Sequence, residues 1–392
     1  MATRTYLDFA TTTPLDARVE RAMKPYWTKS FGNPSSLHAE GVLAKESLES
    51  ARRDVANAIQ AHPHEIIFTG SGTEANNLAI LGCVRAHLTR GTKPEALHAL
   101  VSSIEHSSVR ECFEELARLG VRVETIPVSS QGIVSLESIE KLLKPETVLI
   151  SVMYANNEIG TIQPIRKIAS IVRKRYDGNT KPALHVDACQ APLYLSVLQS
   201  YLGADLVSFD AHKMYGPKGV GALYVREGTK LTPILFGGGQ ERGRRPGTEN
   251  IPLVIGFAKA LELAVSGREK ESKRITLLRD MFFNELMKVI PSAVVNGDAH
   301  ERLPNNVNIA ITGLDAEFAC VQLDTRGISC SAKSACLEGV KDSFVISALG
   351  KGNDASRSSL RFSLGRSTTR SDVRRAVRAL SEVAHEQLAG RF

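Results

Sequence analysis

The chain has 392 residues, 43% hydrophobic and 23% charged, which is enough for more than one hydrophobic core and makes two domains the expectation. Its formal charge of +7 is modest for this length; it suits anionic ligands or an acidic partner and, with no nucleic-acid motif beside it, predicts no direct nucleic-acid binding. No apolar run reaches bilayer length, and the opening MATRTYLDFATTTP lacks the apolar stretch of an export signal, so no membrane span and a cytoplasmic protein are expected.

In chain order, EIIFT (65–69) reads as a buried strand and 73–88 as the helix after it. HALVSS (98–103) is strand-like, and a helical stretch follows from about Ser107 to Leu119. VRVETIPV, TVLISVMY and ALHVDA read as strands, separated by the helical LESIEKLL and IRKIASIVRKRY. DLVSFDA and VGALYV follow at shorter spacing. This alternation predicts an α/β fold with a doubly wound, mostly parallel sheet. FGGGQERGRRPGTEN (236–250) reads as a long loop. From about residue 250 the pattern changes to a long helical stretch (251–290), strand-like AVVNG, NNVNIAI and SLRFSL, and a closing helix from Ser371, as in a smaller α+β unit. The cysteines at 83, 112, 189, 320, 330 and 336 form no disulfide framework and no CxxC pair, and no metal site is expected.

Several strand ends carry chemistry. Lys213 lies just past DLVSFDA and before a Gly/Pro turn, where α/β sheets place ligands. A lysine there can lose its proton and act as a Schiff-base nucleophile, although a plain surface lysine fits the local sequence too. Asp187 ends another strand. It could cap the next helix, or it could keep the ring nitrogen of pyridoxal phosphate (PLP) protonated so that the ring draws electrons. TGSGTEANN (69–77) joins a strand to a helix and offers small residues, Gly72 and Thr73 among them, at a helix N-terminus able to receive an anion. It lacks the ending of a nucleotide-binding P-loop. His106 can stack on a flat ring, while Asn157 and Gln190 can hydrogen-bond a ring substituent. Arg361, alternating with apolar residues in SSLRFSLGR, offers the fork that matches a carboxylate, although a plain surface arginine fits the local sequence too. Cys336 sits at the centre of the small, polar RGISCSAKSACLEG, with Lys333 able to stabilise its thiolate and Cys330 as a rival.

Together and in this order, YLDFATTTP, FGNPSSLH, FTGSGTEANNLAI, EHSSV, NNEIGTIQPI, HVDACQ, AHKMYGPKGVGALY, GGGQERGRRPGTEN, SAKSAC and LRFSLGR resemble the cysteine desulfurases of the NifS/IscS-like branch, from about residue 5 to residue 370. The resemblance implies a fold-type-I PLP enzyme of aspartate-aminotransferase architecture working as a homodimer. Residues 15–255 would form the large PLP-binding domain, and residues 1–14 and 256–392 the small domain with the cysteine loop. Lys213 would carry the cofactor covalently, Asp187 would pair with its pyridine nitrogen and His106 would stack on its ring. Gln190 and Asn157 are similar to residues that contact the ring oxygen or the substrate. Gly72, Thr73 and His212 match phosphate contacts, and Thr248 matches one reaching across from the other subunit. Arg361 matches the clamp for the substrate carboxylate and Cys336 the sulfur acceptor. The implied reaction takes L-cysteine to L-alanine and leaves a persulfide for delivery to an acceptor or scaffold protein, toward iron–sulfur clusters, thio-cofactors or tRNA.

The sequence departs from the family pattern twice. Asp210 stands where the family usually has a serine whose hydroxyl bonds the phosphate, and a carboxylate there is repelled unless it turns away, is protonated, or bonds through His212 or water. Lys333 stands where a glycine is usual. Two other readings remain at this level: a selenocysteine lyase or other PLP lyase of the same fold, and a catalytically silent scaffold for sulfur-acceptor proteins.

Overall fold

The computed structural model describes residues 4–176, 181–332 and 342–389. Strand β1 (Thr5–Tyr6) is followed by helices α1 (Ala17–Met23), α2 (Pro25–Thr28) and α3 (Ala39–Ile59). Then come β2 (Ile66–Thr69), α4 (Gly72–Leu88), β3 (His98–Ser102), α5 (Ser107–Arg118), β4 (Arg122–Ile126), α6 (Leu136–Leu142), β5 (Thr147–Ser151), α7 (Ile165–Arg175), β6 (Ala183–Asp187), α8 (Gln199–Leu202), β7 (Leu206–Asp210) and β8 (Gly221–Val225). The remainder is α9 (Ile251–Val289), β9 (Val294–Val295), β10 (Asn306–Ala310), α10 (Ala316–Thr325), β11 (Ile328–Ser329), α11 (Phe344–Ala348), α12 (Gly352–Arg357), β12 (Ser359–Ser363) and α13 (Arg370–Ala389).

Strands β2 to β8 form a seven-stranded sheet in the order β2-β8-β7-β6-β5-β3-β4. Pairing is parallel from β7 to β4, and β8 runs antiparallel to both β7 and β2. The strands are buried on both faces because successive side chains point into different cores. Ile67, Ala99, Leu149, Leu206 and Leu223 join α4 and α5 on one face. Their chain neighbours Phe68, Leu100, Ile150, Val207 and Ala222 join α3, α7 and α9 on the other. That alternation accounts for the apolar runs read as strands, and the strand expectations hold with ends trimmed by a few residues.

A second sheet has the antiparallel order β12-β10-β9, and β1 pairs in parallel with β11. The second core cluster also takes in Val307, Ile309, Leu360 and Phe362, so apolar packing runs without a break from one sheet to the other along α9. Of the helices that the sequence expectations leave out, the longest are α3 and α10. Among the described residues no helix is long and apolar enough to cross a membrane.

Candidate active site

The carboxyl ends of β2, β3, β5, β6 and β7 lie along one edge of the large sheet, because β2 is parallel to β7 through the reversed β8. A cavity of about 410 Å3 opens there. It is lined by Lys213, Asp187, His106, Gln190, Asn157, Gly72, Thr73, His212, Asp210 and Arg361, all singled out from the sequence. Thr248 is exposed and lies outside this cavity. Cys336 and Lys333 fall outside the described residues.

Lys213 ends a tight turn (Ala211–Lys213) whose N-cap is Asp210. The turn is bent sharply: Tyr215 has φ +64°, a left-handed conformation for a large side chain, secured by its N–H donating to Thr13 Oγ1 at 2.7 Å. Lys213 Nζ donates to the carbonyls of Ala10 (3.0 Å) and Thr11 (2.6 Å). The N-terminal segment thus reaches over the sheet edge and holds the amine in the cavity. Gln190 Nε2 donates to the same Ala10 carbonyl at 2.9 Å.

Asp187 ends β6 and is buried. Its Oδ1 accepts the Cys189 N–H at 2.9 Å and its Oδ2 accepts Asn76 Nδ2 at 2.8 Å. Asn76 Nδ2 also donates to Ser108 Oγ at 2.9 Å, and Ser108 Oγ lies 2.8 Å from His106 Nδ1. Nδ1 additionally accepts the Ser108 N–H at 3.2 Å, an acceptor role that puts a ring N–H at Nε2. His106 is the N-cap of α5, which points its ring toward the cavity.

Another side of the cavity is built by α4. Gly72 is its first helical residue, and a Cβ there would come within 2.7 Å of Cys189 Sγ and 3.1 Å of the Asp210 side chain. Asp210 does not turn away. Its Oδ2 accepts the Gly72 N–H at 2.7 Å and its Oδ1 accepts the His212 N–H at 3.3 Å, with His212 Nε2 3.6 Å distant. Burial raises the Asp210 carboxyl above its ordinary value; the N–H bonds from Gly72 and His212 and the charge of Lys213 pull it back. Burial, with Lys213 and Lys218 nearby, pushes His212 down to about 4, so its ring is neutral.

Arg361 arrives from the smaller sheet, on β12, and is only 2% exposed. Its Nη2 donates to Asp8 Oδ1 (2.9 Å) and Thr11 Oγ1 (2.8 Å), and its Nη1 to the Asn157 carbonyl (3.0 Å). Cys330 is half-buried, its Sγ 3.6 Å from Cys320 Sγ. The Cys320 thiol and burial together push Cys330 well above the ordinary thiol range. Cys189, on the cavity wall, is pushed up by burial and then by the charges of Asp187 and Asp210.

Similarity to known proteins narrows what such a cavity serves. The family model described as Aminotransferase class-V matches residues 5–376. The chain belongs to the class-V aminotransferase family. It is 42% identical over 384 residues to "Cysteine desulfurase IscS" of Dictyoglomus turgidum, covering 98% of this chain and 95% of that one. It is 42% identical over 379 residues to "Cysteine desulfurase IscS 1" of Archaeoglobus fulgidus, covering 96% of each. Among solved structures it superposes on a "NIFS-LIKE PROTEIN" with a TM-score of 0.90 at 33% identity, over 97% of this chain and 99% of that one. It matches a structure titled "SspA in complex with cysteine" with a TM-score of 0.79 at 32% identity, over 92% and 99%.

The cavity of this class-V member fits PLP in its donor set. A lysine amine, a buried carboxylate and a ring-bearing wall face one space, and the N-terminus of α4, opened by Gly72, borders it where a phosphate would sit. Asp210 is the one group at odds with a phosphate. The sequence reading misses Asp8, Thr11, Asn76, Ser108 and Cys189. A signal for Asn76 exists: it lies four residues after Gly72, on the same helix face.

Proposed function

We propose that this enzyme is a PLP-dependent cysteine desulfurase in which Lys213, Asp187, His106 and Arg361 work on one substrate molecule and Cys336 takes its sulfur. The observation that carries the reading is the convergence of the Lys213 amine, the Asp187 carboxylate and the Arg361 guanidinium on a single cavity from separate parts of the chain. PLP bound there supplies a conjugated ring that takes up the electron pair left when the substrate's Cα proton departs. Asp187, kept in place by Asn76 and the Cys189 N–H, holds a negative charge against the pyridine nitrogen. His106, on the cavity wall, would cover one face of the bound ring and offer its Nε2–H. Gln190 and Asn157 contact the ring oxygen or the substrate, and Gly72, Thr73 and His212 the phosphate.

Arg361 binds the carboxylate of L-cysteine, and Asp8 and Thr11 keep its fork oriented before substrate arrives. Lys213 removes the Cα proton and can return it. The Cys336 thiolate attacks the substrate sulfur. An S–S bond forms and the C–S bond breaks; the electron pair stays on carbon, which is protonated and leaves as alanine. The persulfide on Cys336 passes its outer sulfur to an acceptor or scaffold protein. Cys330 and Cys189 are poorer candidates, because their surroundings hold both as neutral thiols.

The working unit is a homodimer in which Thr248 reaches the partner's phosphate site. Support comes from the exposed apolar side chains Phe31, Leu37 and Phe236, of which Leu37 lines a surface cleft shared by residues 34–53 and 239–249. Residues 15–255 form the PLP-binding domain, and residues 1–14 and 256–392 the domain bearing Arg361 and Cys336. The cytoplasm is the place of work, since the described cysteines are free thiols, as a reducing compartment keeps them.

The test assays alanine and sulfide from L-cysteine under reductant with C336S, C330S and C189S. Loss of sulfide only in C336S is expected; full release by C336S sinks the thiol assignment. Borohydride reduction and peptide mass mapping should place the cofactor on Lys213, and a label elsewhere sinks that one.

A further inference from the structure

We propose that Asp210 binds the phosphate of PLP through a shared proton, so that loading the cofactor takes up one proton and the hold on PLP weakens as pH rises. The inference rests on the PLP reading above and concerns what this chain does differently at the phosphate end.

The geometry carries it. The Asp210 carboxylate occupies the cradle that the phosphate needs: Oδ2 accepts the Gly72 N–H at the start of α4, and Oδ1 accepts the His212 N–H of the lysine turn. These are two of the residues whose places match phosphate contacts. The carboxylate has little room to swing aside, since Asp210 is 7% exposed and its side chain packs against Gly72. A phosphate dianion beside an ionised carboxylate in this setting is repelled. A protonated carboxyl instead presents an O–H donor, as the serine usual at this position does, and an O–H···O bond to an anionic oxygen is short and strong.

The groups facing Asp210 leave the proton as the means of relief. From β6 comes Asp187, a further negative charge, and from the turn after it Cys189, a half-buried thiol. From the turn come Lys213, which serves the cofactor aldehyde, and His212, whose ring is neutral. From α4 come the Thr73 hydroxyl, at the cavity wall, and Glu74, already paired with Arg245 at 2.9 Å. Lys218 lies on the cavity wall. Burial has already raised the Asp210 carboxyl before any phosphate arrives, which brings protonation within reach. By linkage, affinity for the phosphate then falls by up to about tenfold per pH unit once the pH exceeds the value Asp210 has without cofactor.

The full-length apoprotein is titrated with PLP and, separately, with pyridoxal, which lacks the phosphate, from about pH 6 to about pH 9. Wild type is compared with D210S and D210N. Subtracting the pyridoxal result removes the titration of Lys213 and the aldehyde chemistry. The expected result is a PLP-specific loss of affinity with rising pH in wild type, a flat difference in both variants, and tighter PLP binding by D210S than by wild type at the alkaline end. An equal pH slope in wild type and variants overturns the inference while leaving the PLP reading intact. Failure to bind either compound, with no yellow species, overturns both. Calorimetry of wild type alone in two buffers of different ionisation heat covers the case in which the variants do not fold. Near one proton taken up with PLP beyond pyridoxal supports the inference, and none overturns it.

Discussion

Asn76 uses both hydrogens of its amide, one for Asp187 and one for Ser108, and Ser108 passes the constraint on to His106. One buried side chain on α4 therefore positions both the Asp187 carboxylate and the His106 imidazole. Hydrogen bonds to charged groups contribute about 1.5–3 kcal/mol. Asn76→Ala should lower affinity for PLP about tenfold or more, read by absorbance titration, and lower kcat even when PLP is saturating. Arg361→Lys keeps the charge but loses the fork, so KM for L-cysteine should rise by about tenfold to a hundredfold with a smaller change in kcat. A rise in KM equal to that of a distant surface substitution would remove Arg361 from the carboxylate site. At this scale residues with distinctive chemistry stand out in the sequence: Lys213 and Asp187 by type and by place at strand ends, and Arg361 by its charge within an apolar strand. Asn76, Thr11 and Ser108 do not, because an amide or hydroxyl on a helix or loop is ordinary until its partner is known.

Among elements, β5, β6 and β7 are tied through a buried imidazole. His185 Nδ1 lies 2.8 Å from Ser151 Oγ and its Nε2 lies 3.0 Å from Ser208 Oγ. Burial pushes His185 down to about 4 from 6.5. A depressed folded-state value means that the stability is present above the unfolded value of 6.5 and is lost as pH falls from there toward 4. The loss attributable to His185 is on the order of 3 kcal/mol. Urea midpoints of wild type and His185→Asn, compared at about pH 7 and about pH 4, should converge at the acid end. The Gly-rich loop is fastened in a different way: Arg52 of α3 makes a two-pronged bond to Glu241, at 2.8 and 2.7 Å, with both side chains buried. Arg52→Met leaves a buried carboxylate uncompensated and should cost about 3–5 kcal/mol in unfolding free energy. A cost below 1 kcal/mol would mean that water reaches Glu241. Helix α3 itself carries a signal that the chain-order reading passes over, with Ala44, Leu48, Ala51, Val55 and Ile59 at helical spacing and buried.

For the whole molecule, the site exists only because three stretches distant in sequence meet. The large sheet presents Lys213 and Asp187, the small sheet presents Arg361, and the N-terminal segment laces them together through Asp8, Ala10 and Thr11. A fourth contribution is proposed from the partner subunit. Sedimentation equilibrium should give twice the chain mass, and Thr248→Ala should weaken PLP binding by about threefold to tenfold without changing that mass. A monomer, or an unaltered PLP affinity, would remove Thr248 from the site.

Alternating apolar runs, helical spacing and a series of strand-end motifs are local properties, and from them the sequence alone determined the α/β class, the positions of most strands and of several helices, and the chemistry available at their ends. Neighbours in space were decided elsewhere. The reversal of β8 sets Thr69 and Asp210 on either side of Gly221, and this is what brings the start of α4 onto the Asp210 carboxylate. The pairing of Cys320 with Cys330 and the lacing of Lys213 to the N-terminal carbonyls have the same origin. Strand order and register depend on the burial of both sheet faces at once, a condition on the whole core that spacing along the chain does not express.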